Sequence, residues 1–157
     1  MIAIAESKVS SGLAFCVKKF FGVFSLLPFE YRLLNELNDR LPLGCKEIFN
    51  HQLSRFNKID RVLSADSDLD FCHTSFYRIK FGKNDRKNIK LKFNETPPIF
   101  NIAEAVYEFG GKSMPVKYVV GEGVFFSLEY HKPIDMNVLM QNFVVLDFKI
   151  SDFARGQ

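Results

Sequence analysis

The chain has 157 residues, enough to bury a real core in one domain and too few for two comfortable ones. Its hydrophobic share of 47% and charged share of 25% are those of ordinary globular proteins, which excludes disorder and membrane embedding as expectations. A net charge of +3 is too small to imply a nucleic-acid partner by itself, so where the charges fall matters more than their sum.

The composition is unusual in its rings: 18 Phe and 5 Tyr with no Trp, so phenyl packing is expected to dominate the core. The three cysteines, Cys16, Cys45 and Cys72, are odd in number and lack a C-x-x-C spacing. That argues against a disulfide framework and a zinc site and favours a reducing, cytoplasmic setting. Glu6, Lys18 and Lys19 interrupt any secretory pattern, and no apolar run reaches the roughly 20 residues of a spanning helix.

In chain order, Leu13, Cys16, Val17, Phe20, Phe21, Phe24 and Leu27 recur at helical spacing and predict an amphipathic helix over 13–27, packed on a sheet. Pro28 fits the first turn of a second helix, in which Tyr31, Leu34, Leu37 and Leu41 form the buried stripe and Glu30 faces solvent. After Pro42 and Gly44, the residues Ile48, Phe49, Leu53 and Phe56 predict a third helix to about Asn57. The period then changes. Ile59–Leu63 reads as strand, and Phe100–Phe109 is closer to strand than to helix. Gly110-Gly111 is a turn, Val116–Val120 a strand, Gly121-Glu122-Gly123 a tight turn, and Val124–His131 a strand with Val124, Phe126, Leu128 and Tyr130 on one face. Val138–Ile150 is a last strand, or a short helix followed by one. The expected fold is therefore a single α+β domain over 1–157, with helices (about 13–58) packed on one face of a mainly antiparallel β-meander (about 59–150).

The stretch Phe71–Phe93 predicts a β-hairpin: Tyr77, Ile79 and Phe81 alternate with polar residues on one side of Gly82, and Ile89, Leu91 and Phe93 on the other. Its outer face would carry Phe76, Arg78, Lys80, Lys90 and Lys92, and its loop Lys83, Arg86 and Lys87, against the single acid Asp85. Such a ridge of cations beside an aromatic ring suits single-stranded nucleic acid, whose bases stack while its phosphates pair. The plainer reading is an edge kept soluble by lysines.

Other constellations are weaker. Asp66, Asp68 and Asp70 match the start of a calcium loop, but Phe71 and Tyr77 stand where its glycine and final glutamate belong. His51, His73 and His131 are scattered, and Cys72 and His73 point to opposite faces of a strand, so no metal site is assigned. No phosphate loop or dinucleotide fingerprint is present, so no cofactor is expected. Glu129 and His131 share a face of the second hairpin and, with Glu122, could build an acid/base site if a concavity received them.

Leu27-Pro28-Phe29-Glu30-Tyr31-Arg32 at a helix start and Gly123-Val124-Phe125-Phe126-Ser127-Leu128-Glu129-Tyr130 before Pro133 are similar to segments of small bacterial proteins of no assigned function. The resemblance spans Leu27 to Pro133. It implies a bacterial cytosolic origin and an α+β fold, and it brings no catalytic residue with it. The leading expectation is a non-enzymatic, cytoplasmic binding protein of the immunity or antitoxin type that engages a protein partner. The alternative is nucleic-acid binding through Phe76, Arg78, Lys80, Lys83, Arg86, Lys87, Lys90 and Lys92, and the third is a small hydrolase or transferase.

Overall fold

The structure, a computed structural model, describes residues 24–63, 72–94, 97–131, 133 and 142–155. The expected helix over 13–27 and the aspartates Asp66, Asp68 and Asp70 fall largely or wholly outside them, and the described Phe24–Leu27 are not helical.

Helix α1 (Pro28–Arg40) starts at its proline, and α2 (Leu43–Leu53) follows the break at Pro42. The buried stripe of α1 is Phe29, Leu33, Leu34 and Leu37, while Tyr31, expected inside, is 57% exposed. Strand β1 (Lys58–Val62) pairs with β2 (Cys72–Tyr77). After two short strands, β3 (Ile79–Lys80) and β4 (Lys83–Asn84), come β5 (Ile99–Phe109), β6 (Lys112–Gly121), β7 (Val124–Tyr130) and β8 (Phe143–Ile150), then a one-turn helix α3 (Asp152–Arg155). The main sheet is antiparallel in the order β1-β2-β7-β6-β5-β8, so β5-β6-β7 is a meander flanked by β2 and β8. This is the α+β architecture that the change of period implies, and 99–109 is strand.

Both helices cover one face. Phe29 of α1 meets Tyr130 with ring centroids 5.9 Å apart, and Phe49 of α2 meets Phe125 edge-on at 5.1 Å. The Tyr118 hydroxyl donates to the Leu33 carbonyl at 3.1 Å, tying β6 to α1. Pro115 lies in β6 just past the end of its pairing with β7, which stops at Val116, so its missing N–H breaks no bond on that side.

Bulges decide which residues reach this face. The registers skip Ile102 in β5, Phe126 in β7 and Leu146 in β8, and each extra residue reverses the alternation beyond it. Hence Phe125, Leu128 and Tyr130 are buried together, and Phe126 is not on their face as simple alternation predicts. Its ring instead meets Tyr77 at 6.2 Å and the Arg86 guanidinium at 4.6 Å on the other side of the sheet.

Glu30 is the other departure. Expected outside, it is fully buried, and its carboxylate accepts from the Leu27 amide at 2.8 Å, from Thr74 at 2.8 Å and from both Nε and Nη2 of Arg61 at 2.7 and 2.6 Å. The first bond is half of a capping box, since Glu30 is the third residue of α1 and reaches back to the orphan amide before it. Because Thr74 spends its proton on Glu30, the Tyr130 hydroxyl donates to Thr74 at 3.1 Å. Helix α1, β1, β2 and β7 thus meet at one carboxylate.

Candidate functional site

Between β2 and β5 the chain leaves the main sheet. Phe81 and Gly82 have φ of 51° and 73°, the pattern of a two-residue type I′ turn, and pair Ile79 with Asn84 and Lys80 with Lys83. The expected long hairpin is therefore replaced by a short one. Its second half, 89–93, is not a strand, and Lys80 opposes Lys83 where symmetric closure would set it against Lys90. Local bonds outcompete the ladder: Asn84 Oδ1 accepts the Arg86 amide at 3.2 Å, Asp85 accepts from the Asn88 amide group, and Arg78 pairs with Asp85 at 3.1 Å. A 3₁₀ turn over Arg86–Asn88 results. Asn57 clamps the base of the excursion by accepting the Ile79 N–H at 2.7 Å and donating to the Ile79 carbonyl at 2.8 Å.

The eight expected binding residues separate into four groups. Lys80, Lys83, Lys87 and Lys90 are exposed, and Phe81, expected in the core, stands among them 79% exposed. Arg78 and Lys92 are partly buried, Arg78 being tied to Asp85. Phe76 does not join the ridge. It is 0% exposed and packed against Phe56 at 6.0 Å and Phe125 at 5.4 Å, because β2 buries the face of Cys72, Thr74 and Phe76.

Arg86 forms the fourth group by itself. Its Nη2 donates to the carbonyls of Gly121 and Val124, both at 3.0 Å, and its guanidinium carbon sits over the Phe126 ring, 4.6 Å from the centroid. Its Nε is buried without a partner, and no carboxylate among the described residues lies within ion-pair distance. Burial lowers its pKa from the usual arginine value, against an opposing pull from Glu122. Beside it opens a cavity of about 850 Å³ between the 3₁₀ turn and the sheet face opposite the helices, with Ile99, Val119 and Phe126 as its apolar walls.

Glu122 and Glu129 also line this cavity, whereas His131 is exposed and outside it, so the concavity does not unite Glu129 with His131. The imidazole that register brings to Glu129 is that of His73, its cross-strand neighbour on β2, with Lys117 on the β6 side. Among the described residues no three His, Cys, Asp or Glu side chains group to hold a metal ion, and no helix is long and apolar enough to cross a membrane. Cys45 and Cys72 are buried, and burial raises the Cys45 thiol pKa. No protein-family model, curated protein or solved structure matches the chain.

Proposed function

We propose that this chain is a non-enzymatic binding protein that engages a protein partner with the excursion 79–92. Phe81 carries the reading. A bulky side chain at positive φ is strained by about 1–3 kcal/mol, and such strain is kept where a site requires it. Here the strained residue is also a phenyl ring left 79% exposed at a turn tip, between Lys80 and Lys83. An aromatic anchor ringed by cations suits a partner surface with an apolar pocket in an acidic rim. The internal bonds of Asn84, Asp85 and Asn88 hold the tip in shape before binding, which lowers the ordering cost. Small size and a charged docking loop fit a partner-blocking role of the immunity or antitoxin kind, and an odd number of cysteines without a C-x-x-C spacing fits a bacterial cytoplasm.

Pull-down at native expression tests this with wild-type chain, Phe81→Ala and a Lys80→Glu, Lys83→Glu double variant. A stoichiometric protein retained by the wild type and lost from both variants is expected. Capture of none, or capture indifferent to the variants, ends the proposal. Phe81→Asn separates binding from folding, because Asn tolerates positive φ: stability rises by about 1 kcal/mol while the partner is lost.

One observation favours a second reading. Lys80 Nζ lies 5.8 Å from the Phe81 ring centroid, placing a cation beside a flat ring as single-stranded nucleic acid requires. Oligonucleotide affinity that falls steeply with salt and vanishes in the Lys80→Glu, Lys90→Glu variant would replace the protein partner with a nucleic acid.

A further inference from the structure

We infer that the cavity between the 3₁₀ turn and the outer sheet face binds a small amphipathic monocarboxylate, with Arg86 as its anchor. A clamp that only fastened the loop to the sheet needs Nη2 alone, which already serves the Gly121 and Val124 carbonyls. Those two bonds and the Phe126 ring hold the guanidinium, leaving Nε buried without a partner and Nη1 without a hydrogen bond among the described residues. A fixed guanidinium with unused donors in a partly apolar site is the arrangement that recognises a carboxylate. The desolvation that lowers the Arg86 pKa is also what a bound anion would offset.

Shape and charge narrow the ligand. The volume of about 850 Å³ lies in the range of small-molecule sites, and Ile99, Val119 and Phe126 offer apolar area for a hydrocarbon or aryl body. Asp85, Glu122 and Glu129 share the lining with Arg86 and Lys87; with Asp85 already paired to Arg78, the remaining two acids balance the two cations, so the cavity has no surplus positive charge for a second negative one. Phosphate monoesters are thereby disfavoured against monoacids. Phe81 does not line the cavity, so this site is independent of the excursion tip.

The experiment is an NMR titration of the wild-type chain with phenylbutyrate, its neutral amide and phenyl phosphate. Saturable shifts at Arg86, Asn88, Val119 and Phe126 are expected with phenylbutyrate, and affinity at least about ten-fold weaker for the amide, the usual loss of one charge-assisted bond. Arg86→Gln should abolish the preference for acid over amide. Should that variant unfold, Val119→Trp, which fills the floor and keeps Arg86, must abolish binding. Phe81→Ala should leave phenylbutyrate affinity unchanged. Absence of saturable shifts at the lining up to about 10 mM, a range that detects even very weak ligands, overturns the inference. Equal affinity for acid and amide, or tighter binding of phenyl phosphate, does the same.

Discussion

Glu30 takes no part in either candidate site, yet its carboxylate joins a helix start to three strands. The helical pattern placed it outside because a carboxylate flanked by Phe29 and Tyr31 gives no sign of the Arg61 that meets it from 31 residues away. Removing one member of a buried ion pair typically costs about 3–5 kcal/mol, but Arg61 keeps 25% of its side chain in water, which softens its loss of partner. Glu30→Gln should therefore destabilise by about 2–3 kcal/mol in urea denaturation, and Arg61→Met by at least as much, because it strands the fully buried carboxylate. A cost below about 1 kcal/mol for both, the level of exposed pairs, would show the network to be incidental. Phe76 and Phe81 exchanged places for a comparably local reason. The small residues Cys72 and Thr74 share the parity of Phe76, and that run was the available signal for which face is buried; alternation counted from Tyr77 missed it.

At the scale of elements, the lysine-rich alternation of 77–93 imitates a long hairpin, and periodicity cannot register that Asn84, Asp85 and Asn88 satisfy nearby polar groups with their own side chains. What holds 89–93 in place is a helix residue. The buried Gln52 of α2 donates Nε2 to the carbonyls of Leu91 and Gly123, each at 2.9 Å, and accepts the Phe125 N–H at 2.7 Å. One amide thereby serves the excursion, the β6–β7 turn and the bulge that sends Phe126 under Arg86. Gln52→Leu keeps the volume but leaves the Phe125 N–H buried and unpaired, so a loss of about 3 kcal/mol is expected, with amide exchange at Phe125 and Phe93 accelerated. Because the bulge also shapes the cavity wall, the same variant should weaken any ligand held by Arg86. Unchanged exchange at Phe125 would refute this role for Gln52.

Across the whole molecule, the succession of helices and sheet was legible because period and turn residues are local, and Gly110-Gly111 and Glu122-Gly123 turn where such residues must. The strand order, the three bulges and the cavity depend on contacts distant in sequence, and no local pattern encodes them. The same long-range packing sets a global response to pH. Three of the five tyrosines, Tyr107, Tyr118 and Tyr130, are 0% exposed, and burial pushes each phenol above its ordinary value of 10.0. Their protons are committed in turn: Tyr118 donates to Leu33, Tyr107 to Tyr118 at 2.5 Å, and Tyr130 to Thr74. Since the folded pKa values are raised, the folded state holds protons that the unfolded chain releases above pH 10. Their contribution is thus fully present below pH 10 and is lost as pH rises beyond it. Each phenol lowers stability by about 1.4 kcal/mol per pH unit, about 4 kcal/mol for three, which within a few units consumes the 5–15 kcal/mol typical of a domain. Urea denaturation should accordingly show constant stability from about pH 7 to 9 with respect to these groups and a steep fall above 10. Tyrosinate absorbance from the three phenols should rise only together with loss of the circular-dichroism signal. If these three tyrosines ionise near pH 10 while the sheet remains intact, the buried hydroxyl chain does not hold the helices to the sheet as described.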